Sequence, residues 1–203
     1  MKYGNISTGS EEASLAAKEI LRFGGNAFDA AVSAVFVSMT SEFSLTGAFG
    51  GGTLLGIKDN KTPFVYDFFV NSPYKNNNKS EFVNINVDFG ETSQKFNIGK
   101  GSIATPGNLM GLMEIQRKYG KLDISDVLQN AIYIANHGVK ITNYQGYIIS
   151  LIKPILEYDT STNNIYLKNN KLIKKGDIFK NRAFGDFLSL LAKKGHNYFY
   201  NGN

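Results

Sequence analysis

Apolar side chains cover every side of the helix predicted over residues 27–40, where alanine, valine, phenylalanine and methionine leave no polar face for water. Such a helix must be buried, and Asn26 stands where a residue that caps its first turn is expected. An amphipathic helix precedes it. Thr8 and Glu11 have the spacing of a capping box for that helix, and Gly24 and Gly25 follow its last apolar residues. The pattern therefore predicts two successive helices, the second at the centre of the core.

A β-type pattern follows a loop at residues 44–52 that contains four glycines. Runs of β-branched and aromatic residues, or of alternating polarity, predict strands at 53–57, 63–70, 82–89 and 95–98. A turn-forming segment at 58–62 joins the first two, and a polar surface loop is predicted at 74–80. Helices followed by hairpins indicate an α+β fold in which helices stack on antiparallel sheet.

The glycines at 47–52 also raise the alternative of a phosphate-binding loop. Such a loop needs a strand before it, then Lys followed by Ser or Thr, and a helix after it. Here the predicted helix precedes the glycines and the predicted strand follows them. We therefore interpret the glycines as residues that let two layers of the fold approach closely.

The second half of the chain is predicted to be mainly helical. Thr105 and Pro106 have the sequence of a helix start, with a hydroxyl cap and a proline in the first turn, and Gly120 ends this helix. A further helix is predicted from Asp123 to residue 136. The later predicted elements are a helix at 143–156 interrupted near Pro154, a hairpin at 163–172 that turns at Asn169 and Asn170, and a helix at 181–194. We expect residues 1–203 to form a single domain, with a more helical subregion at 140–203.

Composition removes several classes of function. The formal net charge is +5, but the 22 basic residues are scattered and form no stripe, so we expect no nucleic-acid partner. Cysteine is absent, which excludes disulfides and a cysteine nucleophile from this chain. The two histidines, His137 and His196, lie far apart in sequence without carboxylate spacing around them, so we expect no metal site, no cofactor and no Ser-His-Asp triad. The apolar run inside 27–39 is too short for a membrane span, and the first ten residues lack the features of a signal peptide.

Three blocks, in order, resemble the γ-glutamyltransferase (γ-glutamyltranspeptidase) family of N-terminal-nucleophile hydrolases. The first reads GGNAFDAAVSAVFVSM followed by GAFGGGTLLGIKDNKTPFVYDF, the second reads GSIATPGNLMGLMEIQRKYGKLDISDVLQNAIYIANHG, and the third covers residues 174–202. The resemblance implies a partial four-layer αββα sandwich of the N-terminal-nucleophile hydrolase type. It also implies that this chain is the N-terminal part of the large subunit of a precursor whose relatives are commonly periplasmic or extracellular.

The segment at 67–73 bears most directly on the substrate. In active members of the family the matching segment has Asp, an apolar or small residue, then Arg and Glu, and the Arg binds the α-carboxylate of the γ-glutamyl substrate through its guanidinium fork. Here Phe69 stands in place of the Arg and Val70 in place of the Glu. The resemblance therefore implies a substrate-binding role for Asp67, Phe69 and Asn71, without the expected cation.

The family reaction uses a threonine that becomes N-terminal when the precursor cuts itself, and its free amine acts as base for its own hydroxyl. That threonine lies in a Thr-Thr-His segment, and no threonine of this chain is followed by histidine. We therefore expect no catalytic residue in this chain. The resemblance implies a full-length enzyme that acts on γ-glutamyl compounds such as glutathione, or on related acyl amides, with the C-terminal small subunit as partner.

In an alternative hypothesis the chain has the fold of the family, but the full-length protein has no catalytic activity. Because Phe69 and Val70 remove both expected charges, the chain could belong to a non-catalytic family member that serves as a binding or assembly module. The two hypotheses differ in whether the full-length precursor cuts itself and cleaves amides.

Overall fold

The computed structural model describes residues 4–59, 62–74 and 81–202. Its helices are α1 Glu11–Arg22, α2 Ala27–Ser41, α3 Asn108–Tyr119, α4 Ile124–His137, α5 Asn143–Leu151, α6 Lys153–Leu156, α7 Asn163–Tyr166, α8 Arg182–Lys194 and α9 His196–Asn201. Its strands are β1 Gly52–Gly56, β2 Phe64–Phe68, β3 Val83–Asp88, β4 Ser93–Ile98, β5 Val139–Lys140, β6 Leu167–Lys168, β7 Lys171–Leu172 and β8 Ile178–Phe179. Part of the turn predicted at 58–62 and most of the loop predicted at 74–80 lie outside the described residues. Within these ranges no helix is long and apolar enough to cross a lipid bilayer.

Helix α2 lies at the centre of the main core, as its all-round apolar sequence predicts. Val32 and Phe36 are fully buried, and the helix packs against α1, α3 and α4. Its start is capped as expected, because Asn26 Oδ1 accepts hydrogen bonds from the amides of Phe28 (2.9 Å) and Asp29 (3.1 Å). Local sequence and burial therefore agree at this helix.

The start of α1 corrects the prediction made for Thr8. Ser10 caps the helix, since its Oγ accepts from the amide of Ala13 (3.4 Å), and Glu11 is the first helical residue instead of the third. The Thr8 hydroxyl donates to the carbonyl of Ser10 (2.7 Å). Several hydroxyl residues precede this helix, so spacing alone could not select the one that caps it. The end of the helix agrees with the prediction, with Gly24 in the left-handed region at φ 103°.

Asp29 is a fully buried carboxylate that joins the start of α2 to the turn between α3 and α4. It accepts hydrogen bonds from the amide of Asn26 (2.9 Å) and from the amide of Lys121 (3.1 and 2.9 Å to its two oxygens). Gln116 Nε2 also donates to it (3.3 Å). A buried carboxylate is tolerated when donors surround it, and near a helix N-terminus the dipole also favours its charge. This side chain therefore fixes the position of α3 relative to α2.

Replacing Asp29 by Asn should destabilise the protein by about 2 kcal/mol, since the amide group of Asn cannot accept from all of these donors. That loss should lower the melting temperature of the full-length protein by a few degrees, measurable by thermal unfolding. Glu11→Gln, at an exposed carboxylate in the first turn of α1, is the matched control and should change the melting temperature little. Equal melting temperatures for the two variants would contradict the structural role of Asp29.

Strands β1 and β2 form an antiparallel ribbon in which Gly52 pairs with Phe68 and Gly56 with Phe64. One face, which includes Leu54, Tyr66 and Phe68, packs on the main core. The ring of Phe64 stacks on Tyr119 at the end of α3, with centroids 4.7 Å apart. Leu55 and Val65 lie on the opposite face and are 71% and 63% exposed. The ribbon is therefore fixed to the helices on one side, and on the other it exposes Leu55 and Val65 beside the polar Thr53 and Asp67.

The other described strands form three further antiparallel ribbons: β3 with β4, β5 with β8, and β6 with β7. The last contains the predicted turn, with Asn169 and Asn170 in the left-handed region. The hairpin predicted at 163–172 is shorter than expected, since residues 163–166 form α7. Around β5 and β8 lies a second, smaller core that includes Ile141, Ile149 and Phe179, while α8 returns to the main core. Helices with antiparallel ribbons confirm the predicted α+β class.

Candidate functional site

The end of strand β2 carries the three residues singled out by the sequence. Asp67 Oδ1 accepts a hydrogen bond from the amide of Phe69 (3.0 Å), and the Phe69 side chain is 67% exposed. Asn71 pairs through its backbone with Thr105, by hydrogen bonds of 3.0 and 2.7 Å in the two directions. Its side-chain oxygen accepts from the amide of Ser72 (2.9 Å). The backbone of this strand end is thus held in place while the side chains of Asp67, Phe69 and Asn71 are exposed.

Two glycines make room for the strand end. A Cβ atom on Gly51 would lie 2.5 Å from the amide nitrogen of Val70, and one on Gly107 would lie 1.9 Å from the carbonyl oxygen of Phe68. Carbon and backbone atoms do not approach that closely, so only glycine fits at either position. The strand end therefore lies between the glycine loop at 47–52 and the start of α3, which is the close approach of layers expected from the sequence.

The start of α3 is capped by backbone and not by the predicted hydroxyl of Thr105. The Gly50 carbonyl accepts from the amides of Gly107 (3.1 Å) and Asn108 (3.0 Å). The buried Asn108 side chain donates back to the carbonyl of Gly47 (2.7 Å). The prediction was wrong because Thr105 is used in the pairing with Asn71, so the helix begins after Gly107. The first amides of a helix need acceptors, and here the glycine loop supplies one.

Tyr200 completes the cap from the far end of the chain. Its hydroxyl donates to the carbonyl of Pro106 (2.6 Å) and accepts from the amide of Met110 (3.4 Å). Its ring meets Phe199 edge-on at 4.9 Å, and Phe199 meets Phe49 of the glycine loop at 5.6 Å. Burial raises the pKa of Tyr200 above the ordinary tyrosine value, so its hydroxyl keeps the proton that it donates.

Several known proteins are similar to this chain in sequence. The family model described as Gamma-glutamyltranspeptidase matches residues 13–203. The chain belongs to the gamma-glutamyltranspeptidase family. It is 28% identical over 201 residues to glutathione hydrolase 2 of Arabidopsis thaliana, covering 98% of this chain and 33% of that protein. It is 29% identical over 204 residues to the acylase ACY 1 proenzyme of Pseudomonas sp. (strain SE83), covering 98% of this chain and 36% of that protein.

The fold of this gamma-glutamyltranspeptidase family member is that of its solved relatives. The crystal structure of the Bacillus anthracis transpeptidase enzyme CapD (crystal form II) matches with a TM-score of 0.82 at 25% identity, over 100% of this chain and 63% of that one. This likeness confirms the fold expected from the resemblance, that of the N-terminal-nucleophile hydrolases. The chain spans about a third of the length of the curated relatives that it matches.

The chemistry available at the strand end is limited and specific. The exposed side chains of residues 67–71 are the carboxylate of Asp67, the aromatic ring of Phe69 and the amide of Asn71. None of them carries a positive charge. Within the described ranges, no group of three or more His, Asp or Glu side chains is placed to hold a metal ion. This arrangement can contact an acyl chain and orient a polar group, but it offers no nucleophile of its own.

The structure brings Asp67, Phe69 and Asn71 together along one exposed strand end, and their role as substrate ligands stays a prediction. Sequence reasoning missed Gly50, Asn108 and Tyr200, which support that strand end from two other segments. The expected close approach at the glycines was the only signal that pointed toward them.

Proposed function

We propose that this chain forms the scaffold and one wall of the substrate site in an N-terminal-nucleophile amidohydrolase or acyltransferase of the gamma-glutamyltranspeptidase family. In this proposal the chain is the N-terminal part of the large subunit, and the catalytic threonine is supplied by polypeptide outside these residues. The observation that carries it is the exposed end of β2, where Asp67, Phe69 and Asn71 are held between the glycine loop and α3.

The aromatic ring of Phe69 favours an acyl group without an α-carboxylate at this position. A carboxylate bound here would meet the Phe69 ring and the charge of Asp67, with no guanidinium to pair with it. A relative named as an acylase matches this chain about as well as one named as a glutathione hydrolase does. Both observations support acyl amides as substrates, beside γ-glutamyl compounds such as glutathione.

The outward face of the β1–β2 ribbon supports the proposed partner, the C-terminal small subunit of the same precursor. Leu55, Val65 and Phe69 lie largely exposed on this side of the ribbon and its end. Exposed apolar side chains next to a substrate wall favour packing against a second layer of the same enzyme. The small subunit would supply that layer, bury these side chains and enclose the site.

The test is to assay the full-length protein with two matched anilides. Butyryl anilide is γ-glutamyl anilide without its α-amino and α-carboxylate groups, so the pair isolates recognition of those charges. We expect the precursor to cut itself into two chains on a denaturing gel and to cleave butyryl anilide with the higher kcat/KM. Cleavage of neither anilide by a self-processed protein would contradict the proposed substrates.

The non-catalytic alternative is favoured by the same replacement of both expected charges by Phe69 and Val70. It predicts a full-length chain that stays intact on the denaturing gel and cleaves neither anilide. The gel therefore separates the two functions before any substrate is compared.

A further inference from the structure

The side chain of Tyr200 joins two pieces of backbone at the start of α3. The N-cap residue of this helix is Gly107, which has no side chain to accept hydrogen bonds from the first helical amides. Met110, the third residue of the helix, donates its amide proton to the Tyr200 hydroxyl (3.4 Å), and the same hydroxyl donates to the Pro106 carbonyl (2.6 Å). We call these two hydrogen bonds the Tyr200 clamp.

The clamp acts on the segment that supports the candidate substrate wall. Pro106 lies between Thr105, which pairs with Asn71, and Gly107, which packs on the Phe68 carbonyl. A shift of the Pro106 backbone would therefore move Thr105 and Gly107, which contact the two ends of the segment 68–71. Because this packing has no spare space, such a shift has to be transmitted to the strand end.

Helix α9, which carries Tyr200, also contacts the glycine loop on the other side of the strand end. Phe199, next to Tyr200 on α9, packs edge-on against Phe49 of that loop. The Gly50 carbonyl of the same loop accepts from the first amides of α3. Helix α9 thus contacts both supports of the strand end, one through the hydroxyl of Tyr200 and the other through the ring of Phe199.

We infer that Tyr200 is a positioning residue for the substrate wall, whose hydroxyl holds the start of α3 against Phe68–Asn71 without itself touching substrate. This inference rests on the proposed function for its effect on catalysis, whereas the clamp itself can be tested without any substrate. Removing the hydroxyl while keeping the ring, as in Tyr200→Phe, should loosen the strand end and leave the aromatic packing in place.

The first test measures hydrogen exchange in the full-length protein. Tyr200→Phe should speed exchange in the peptides that contain Met110, Thr105 and Asn71, whose amides depend directly or through one neighbour on the clamp, and should leave α4 unchanged. Tyr198→Phe is the matched control, because Tyr198 lies on the same helix under the Lys194 ammonium (4.3 Å) and its hydroxyl is not part of the clamp. Unchanged exchange in Tyr200→Phe, or an equal change in both variants, would overturn the inference.

The second test measures steady-state kinetics of the same variants with the butyryl and γ-glutamyl anilides. A displaced substrate wall should weaken substrate binding more than it slows the chemical step. We therefore expect KM to rise about 3- to 10-fold in Tyr200→Phe, which is the range expected for the loss of one hydrogen bond. The value of kcat should stay within about twofold of wild type. An unchanged KM in a protein whose wild type cleaves the anilides would overturn the positioning role. A wild type that cleaves neither would contradict the proposed function instead, and hydrogen exchange would then decide the clamp alone.

Discussion

Phe69→Arg should raise the preference of the full-length protein for γ-glutamyl anilide over butyryl anilide by about tenfold, which corresponds to about 1.4 kcal/mol. The variant restores a guanidinium at the position where the family resemblance places one. Its neighbour Asp67 lies two residues earlier on the same side of the strand and can orient the new guanidinium. We expect a value below the roughly 2–5 kcal/mol that removing one partner of a buried charge pair costs, because the Phe69 side chain is 67% exposed. The measurement is kcat/KM for the two anilides.

Two further substitutions at the same position separate charge from shape. Phe69→Gln gives a polar side chain without charge and should produce no gain for the γ-glutamyl substrate. Phe69→Lys gives the charge without the bidentate fork and should produce a smaller gain than Arg. A similar preference in all three variants would show that position 69 does not face the α-carboxylate of the substrate, and the proposed wall would then be misplaced.

The elements that sequence predicted correctly are those with a local physical cause. Helix α2 is buried because no polar face exists in its sequence, and Asn26 caps it because its side chain reaches the amides of Phe28 and Asp29. The turn at Asn169 and Asn170 forms because both residues tolerate the left-handed region. Each of these causes lies within a few residues of its effect, so the pattern of the chain is sufficient to predict them.

Apart from the choice between neighbouring hydroxyl residues at the start of α1, the errors occurred where a contact from a distant segment competes with a local signal. Thr105 and Pro106 resemble a helix start, yet Thr105 pairs with Asn71 and the helix is capped by the Gly50 carbonyl. Tyr200 gives no local signal at all, because its role depends on two hydrogen bonds to the start of α3. The candidate site residues were singled out by resemblance to a family, whereas the residues that support them became visible only when the segments were placed in space.

Gly107→Ala should be among the most destabilising single substitutions in this part of the protein. The added methyl group would lie 1.9 Å from the Phe68 carbonyl and 3.0 Å from that of Phe69, and backbone cannot rotate away as a side chain can. Overpacking of this kind costs about 3 kcal/mol, while the lower entropy of the unfolded Ala variant returns only about 0.4–1 kcal/mol. The clash therefore dominates, leaving a net loss of about 2–3 kcal/mol that should clearly lower the melting temperature of the full-length protein.

Gly47→Ala tests whether that loss comes from the contact with the strand end or from any added methyl group near it. Gly47 lies in the neighbouring glycine loop, and a Cβ atom there would meet nothing within 4 Å. Its carbonyl, which accepts from Asn108, is unchanged by the substitution. We expect Gly47→Ala to melt no lower than wild type, since a small entropic gain of about 0.4–1 kcal/mol is the only remaining effect. If Gly107→Ala were equally stable, α3 could not be packed against the end of β2, and both the wall and the Tyr200 clamp would lose their structural basis.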